Sequence, residues 1–231
     1  SYWTCVTYAL RGVALGLLAV GYVRVFHRVA ALLGRLPGPR WAVLLTGLAV
    51  VGLVDVWLPQ NVSDGYPVIN QALHGGVAWR TASLLAAAKI ATSSLSLGCG
   101  APGGVFGPIF FIGAMAGVSF HALSELALPQ LTGPRGAYAL VGLGSFLAAT
   151  THAPLTALFL LLEMTTDYDV ALPALLSIGL ALLVATRLEP GSVDTYSLRA
   201  EGKRLHGPRG ARLLDAATVE VAYRRDTTAV A

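Results

Sequence analysis

The chain has 231 residues, of which 55% are hydrophobic and 12% are charged, and its mean hydropathy is +0.66. Since a soluble domain usually carries about 25% charged residues, this composition excludes an ordinary soluble domain and indicates a membrane protein. The net charge of +4 comes with two basic clusters, between Arg24 and Arg40 and from Arg187 onward, which is typical of membrane loops and not of a nucleic-acid-binding surface.

Long stretches without Asp, Glu, Lys or Arg predict an all-α, polytopic membrane protein. Residues 90–120 and 136–162 each exceed the roughly 20 apolar residues that a spanning helix needs. Segments rich in Pro, Gly and Asx separate the apolar stretches and predict turns. In chain order, we expect helices over residues 5–33, 41–58, 78–97, 105–127, 136–150, 153–165 and 170–187, and a partial or re-entrant helix over 66–74.

Two of these helices are predicted to begin at breaks inside apolar sequence. One follows the glycine-rich stretch GCGAPGGVFGP at 98–108, and the other begins at Pro154, which suits the first turn of a new helix. In hydrocarbon, broken helices survive only where protein or a water-filled cavity satisfies the freed backbone groups. Helices interrupted in this way often direct their ends toward a bound ion.

The glycine-rich stretch predicts an anion site made of backbone amides. Gly103 and Gly104 permit a turn without steric penalty, and Pro108 suits a first helical turn. The first free N–H groups of the following helix then come from about Val105 and Phe106, at the partly positive helix end. Such a site lacks a cationic side chain, so an anion can leave it. The alternative is a passive connection whose small residues allow close helix packing.

Four segments resemble the CLC family of chloride channels and proton-coupled chloride transporters, in the order in which that family has them. SLGCGAPGGVFGPIFFIGAMAG at 96–117 resembles the G-x-F-x-P region of the family, with Gly104, Phe106 and Pro108 at its fixed positions. The other three segments resemble the regions that follow it in the family: FLAATTHAPLTALFLLLEMTTDY (146–168), LPALLSIGLALLVA (172–185) and SVDTYSLR (192–199).

The resemblance implies a fold, a substrate and a set of site residues. The fold is the second half of a CLC-type inverted repeat with broken and re-entrant helices. The transported substrate is chloride, and no cofactor or enzymatic activity is implied. The family is homodimeric within the lipid bilayer. The implied anion-binding residues are the G-x-F-x-P segment and one tyrosine hydroxyl: Gly104, Val105, Phe106, Gly107, Pro108 and Tyr196.

The sequence departs from the family because two motifs of its first half are absent from these 231 residues. The G-S-G-I-P loop, whose serine binds chloride, and the G-R-E-G-P loop, whose glutamate gates the pathway, have no counterpart. We therefore expect this chain to need an N-terminal half that carries them. Channel and proton-coupled exchanger both stay open. We assign 1–191 to the membrane domain, 192–212 to the last helix entry and a basic linker, and 213–231 to a truncated CBS-domain start or a disordered tail.

The basic clusters predict the orientation of the chain in the membrane. Lys and Arg are enriched in cytoplasmic loops, so both the segment Arg24–Arg40 and the tail after Arg187 are expected in the cytoplasm. The chain is then a multi-pass protein of the cell membrane with a cytoplasmic C-terminus.

Three alternatives to a CLC-type chloride pathway remain. The first is a broken-helix transporter of another small anion, and the second is a non-conducting partial or assembly subunit. The third is an intramembrane enzyme that uses Ser145 and His152, although seven residues on one helix separate these by about 10 Å. Lys89 is expected to be structural, either pairing with a carbonyl or extending toward the membrane interface, and Glu163 is either an intramembrane functional acid or, as we favour, reaches the interface.

Overall fold

The computed structural model describes residues 2–127, 129, 132–164 and 171–195, with the exception of the side chains of residues 2–5 and 171. These residues form eight α-helices and one short 3-10 helix, and no β-strand occurs among them. The α-helices are α1 Tyr2–Leu33, α2 Arg40–Trp57, α3 Tyr66–Leu73, α4 Trp79–Gly98, α5 Phe106–Ala127, α6 Arg135–Thr151, α7 Pro154–Met164 and α8 Ala171–Leu188; the 3-10 helix is Pro59–Asn61.

The predicted helices are confirmed in order and type. The piece expected to be partial or re-entrant is the eight-residue α3. The predicted break inside the apolar run at 136–162 is also present. His152 adopts a left-handed conformation with φ 59°, which ends α6, and Pro154 is the first residue of α7.

Several helices have the length and composition of membrane spans. Val6–Leu33, Arg40–Trp57 and Phe106–Ala127 are long and apolar enough to cross a bilayer, and Pro154–Met164 and Leu172–Leu188 are shorter apolar helices. The all-α, polytopic membrane fold expected from the sequence is therefore confirmed.

Helix α6 lies at the centre of the packing. Its residues are buried without interruption from Tyr138 to Thr150, and α1, α5, α7 and α8 pack around it. Ser145 in the middle of α6 donates a hydrogen bond to Ser177 of α8, with 2.9 Å between the two hydroxyl oxygens. The apolar core is thus built around one helix that has no solvent-facing or lipid-facing side along most of its length.

Glycines bring α5 and α6 into backbone contact. A Cβ on Gly142 of α6 would lie 2.5 Å from the carbonyl oxygen of Gly113 and 2.8 Å from the Cα of Gly117, both on α5. No side chain fits at that distance, so the two helices approach as closely as their backbones permit. Small residues at helix contacts are the usual means of packing in membranes, where hydrophobic burial gives little driving force.

A second close contact joins α1 and α8, which run in the same direction. Gly12 faces Ser177, and Gly16, one turn later, faces Ala181. Further along, Arg24 of α1 donates a hydrogen bond of 3.0 Å to the carbonyl oxygen of Leu188, at the end of α8. It also lies 3.4 Å from a carboxylate oxygen of Glu189. The C-terminal parts of α1 and α8 therefore lie at the same side of the helix assembly.

The glycine contact between α5 and α6 predicts a position-specific loss of stability. Gly142→Ala should lower the free energy of unfolding by about 1–3 kcal/mol, because the added methyl group overpacks the contact with Gly113 and Gly117. The matched control is Gly52→Ala in α2, where a Cβ meets nothing within 4 Å. That change should be neutral or slightly stabilising, because alanine favours the helix. Thermal unfolding in detergent measures both, and equal effects would contradict the packing assigned to Gly142.

Candidate functional site

The predicted anion site begins where α4 ends and the glycine-rich connection starts. The chain leaves α4 after Gly98 and turns at Gly100, which has φ 92° and so needs glycine. The expectation that Gly103 and Gly104 provide this freedom is wrong, since neither has a positive φ. The ending of α4 places the left-handed turn earlier, at Gly100, and Gly103 and Gly104 belong to the irregular segment between this turn and α5.

The first turn of α5 leaves three amides without a backbone acceptor. Ile109 is the first residue of the helix whose N–H reaches a carbonyl, that of Val105, at 3.1 Å. Pro108 has no N–H, and the amides of Val105, Phe106 and Gly107 have no backbone acceptor among the described residues. The helix end therefore offers three donors, one more than the two amides named from the sequence, together with the partial positive charge of the helix dipole.

This helix end is accessible at the surface of the described residues. Gly103 and Gly104 are exposed, and the Phe106 side chain is 50% exposed. A Cβ built on Gly104 would meet nothing within 4 Å. The space beside Gly104, immediately before the unpaired amides, is consequently open, which an anion needs in order to approach them.

An acidic residue that the sequence analysis did not select lies against this helix end. A Cβ on Gly107 would come 2.8 Å from Cγ of Asp64 and would overlap one of its carboxylate oxygens. Asp64 belongs to the connection between α2 and α3, more than forty residues earlier in the chain. No local motif identified it, since its position depends on how this connection packs against α5. A negative charge beside Gly107 competes with any anion for the same positive helix end.

Buried polar contacts hold the α2–α3 connection in place. The Lys89 ammonium, 5% exposed, donates to the carbonyl oxygens of Asn61, at 2.7 Å, and of Ser63. Asn61 in turn donates to Asp55 at 2.8 Å and to Thr92 at 3.0 Å. The expected pairing of Lys89 with a carbonyl is confirmed, and its consequence is that α4 fixes the connection that carries Asp64.

The other residues singled out from the sequence do not join the first turn of α5 in the described part of the chain. Tyr196 and the tail that follows it lie outside the described residues. Ser145 pairs with Ser177 and not with His152, which gives no support to a serine nucleophile activated by histidine. Glu163 lines a cavity of about 310 Å³ next to Phe110 and Leu143.

Comparison with known proteins assigns this chain to a family. The family description "Voltage gated chloride channel" matches residues 1–186. A ClcB-like protein of Ralstonia nicotianae is 35% identical over 177 residues, which are 77% of this chain and 41% of that protein. The H(+)/Cl(-) exchange transporter ClcA of Vibrio campbellii is 34% identical over 157 residues, or 67% of this chain and 33% of the transporter.

Solved structures show the same likeness. A slow cyanobacterial Cl-/H+ antiporter superimposes with a TM-score of 0.76 at 26% sequence identity, over 86% of this chain and 47% of the antiporter. A eukaryotic CLC transporter gives a TM-score of 0.70 at 27% identity, over 84% of this chain and 35% of the transporter. The chain thus spans between a third and a half of the length of these proteins. With most of its residues matched to one family and the resemblance read from its motifs confirmed, the chain belongs to the voltage-gated chloride channel family, CLC.

Proposed function

We propose that this chain forms one half of a pathway for chloride across a membrane, with the anion held by the backbone amides of Val105, Phe106 and Gly107. The observation that carries the proposal is the first turn of α5, whose three amides lack a backbone acceptor and follow directly on the exposed Gly103 and Gly104. The mechanism is electrostatic. Helix-end amides replace part of the hydration shell of the anion and bind it weakly enough for release.

The names of the relatives favour chloride over another small anion as the transported substrate. The ClcA protein is named an exchange transporter of protons and chloride, and the cyanobacterial neighbour a Cl-/H+ antiporter. Neither name describes an enzyme. The donors expected from G-S-G-I-P and G-R-E-G-P are not among these 231 residues, so the pathway is completed by an N-terminal half that supplies them. The second candidate, a non-conducting assembly subunit, is separated from this one by the flux measurement below.

The assembly we propose is a homodimer in the cell membrane, with the contact on α7 and α8. Leu155 and Phe159 of α7 are 67% and 66% exposed, and Leu172 of α8 is 79% exposed. The resemblance to the family implies that these two helices form its dimer contact. Their exposed apolar side chains support this arrangement, in which a second copy replaces lipid.

We expect the connection after α1 and the tail after α8 to share the cytoplasmic side, since both are basic and Arg24 of α1 contacts Leu188 at the end of α8. Single cysteines at Gly38 and Gly202, in a cysteine-free background, should react with an impermeant maleimide from the same side of sealed vesicles. Val62→Cys is the control and should react from the other side, because α2 lies between it and Gly38. Opposite labelling of Gly38 and Gly202 would refute this topology.

Substitutions at the helix end should separate backbone from side-chain recognition. Val105→Ile keeps the amide and should leave chloride affinity nearly unchanged. Gly104→Val places a branched side chain in the open space before the amides and should weaken binding roughly tenfold, or about 1.4 kcal/mol, with little loss of stability. Calorimetric titration of the chain co-expressed with a family N-terminal half measures both. Loss of binding in Val105→Ile with normal binding in Gly104→Val would rule out recognition by the amides.

The same titration tests the carboxylate beside Gly107. Asp64→Asn removes a negative charge next to the helix end and should tighten chloride binding by about two- to fivefold, in keeping with the effect of one charge on a helix terminus. Glu125→Gln is the matched control, because Glu125 lies in the last turn of α5, about 27 Å along the helix axis. An identical change in both variants would mean that only net charge matters.

Liposomes that contain only this chain should show no chloride efflux above protein-free liposomes. One helix end leaves the anion under-coordinated, and removing its water costs several kcal/mol that this half of the site does not return. Co-expression with a family N-terminal half should produce efflux, and Gly104→Val should abolish it. Anion-selective efflux from the chain alone that disappears in Gly104→Val would show that these residues suffice, and continued absence of efflux with the N-terminal half would favour the assembly subunit.

A further inference from the structure

A guanidinium without a counter-ion lies in the interior of the helix assembly. Arg11, in the membrane-length segment of α1, is 0% exposed. Its Nε, Nη1 and Nη2 atoms are all buried, and none makes a hydrogen bond of normal geometry in the described part of the chain, although the Tyr8 hydroxyl lies close enough to interact with the guanidinium. Arginine is always charged and carries five N–H donors, so this is a buried cation most of whose donors are unused. An ionisable residue inside a membrane segment is a functional candidate by default.

Two tyrosine rings are the neighbours that interact with this charge. The guanidinium carbon lies 4.0 Å from the ring centroid of Tyr8 and 4.5 Å from that of Tyr138. Ring faces stabilise a cation electrostatically but are weak acceptors of its N–H groups, and the Tyr8 hydroxyl satisfies at most part of the guanidinium. The hydroxyl of Tyr138 is itself buried and has no hydrogen-bond partner among the described residues. The guanidinium of Arg11 and the hydroxyl of Tyr138 therefore belong to residues in contact, and both retain donor hydrogens without an acceptor.

The acidic groups of the described residues do not neutralise Arg11. Tyr8 and Tyr138 are the titratable groups that interact with it electrostatically, and no described carboxylate does. Beyond Tyr138, His121 packs edge-on against the tyrosine ring at 5.0 Å. Glu125 follows, 3.7 Å from His121 and 3.4 Å from Arg135, and its side chain is 52% exposed. The Glu125 carboxylate therefore pairs with His121 and Arg135 at the surface and does not neutralise Arg11.

We propose that Arg11, with the Tyr138 hydroxyl, binds one small monovalent inorganic anion such as chloride inside the protein, at a site separate from the first turn of α5. Water could accept the free N–H groups, but it would leave the charge uncompensated in a medium of low polarity. Complete burial of Arg11 within these helices excludes a lipid headgroup. A small anion supplies both the acceptor and the opposite charge, and it joins α1 to α6 through Arg11 and Tyr138.

Thermal unfolding of the detergent-solubilised 231-residue chain tests this site. Replacing sodium gluconate by sodium chloride at equal ionic strength should raise the Tm by about 5 °C or more at saturation, since a ligand that binds only the folded state stabilises it. Arg11→Met should remove this chloride dependence. The matched control Arg24→Met, in the same helix but 48% exposed, should keep it. Gly104→Val should also keep it, which separates this site from the proposed pathway.

Three outcomes would overturn the proposal: no difference between chloride and gluconate in the wild type, an undiminished difference in Arg11→Met, or loss of the difference in Gly104→Val. Should Arg11→Met fail to fold, crystals of the wild-type chain grown in sodium bromide give the same decision. An anomalous peak within hydrogen-bonding distance of the Arg11 guanidinium supports the site. Ordered water there without an anomalous peak refutes it.

Discussion

The absence of hydrogen-bonding solvent within a bilayer is the constraint on which this structure depends. Every helix that begins inside the membrane exposes amides that lipid cannot satisfy, so such an end must face protein or a polar cavity. The first turn of α5, in a helix of membrane-spanning length and composition, leaves the amides of Val105, Phe106 and Gly107 without a backbone acceptor. The backbone contact of Gly142 with α5 fixes the helix, and the connection held by Lys89 borders its end. The resulting helix end offers amide donors and a partial positive charge without a cationic side chain.

Lys89 and Arg11, the lysine and the arginine that are buried among the described residues, differ in how their charge is stabilised. Lys89 is compact and donates to the carbonyl oxygens of Asn61 and Ser63, so its burial stabilises a loop. Arg11 has more donors and a planar group, and it lies against the rings of Tyr8 and Tyr138, with only the Tyr8 hydroxyl near enough to accept from it. A cation satisfied by carbonyls needs no ligand, whereas the unused donors of Arg11 are the basis of the anion site proposed above.

Local sequence was enough to predict the helices and the segment that forms the candidate site. Apolar length, proline position and glycine clusters act within a few residues, so they placed the start of α5 within one residue and the break at Pro154 correctly. The same local signals misassigned the flexible turn to Gly103 and Gly104. The φ of each glycine depends on how α4 ends, and Gly100 takes the left-handed conformation there.

The sequence by itself therefore determined the class, the helix order, the family and the amides of Val105 and Phe106, because these follow from composition and from short motifs. Tertiary structure alone decided which distant group lies beside this helix end and which charged side chains are buried. Asp64 lies against Gly107 only because two connections far apart in the chain pack together. Arg11 is enclosed only because α6 presents Tyr138 to α1. Electrostatic contacts of this kind depend on distance in space, which no periodicity along one helix encodes.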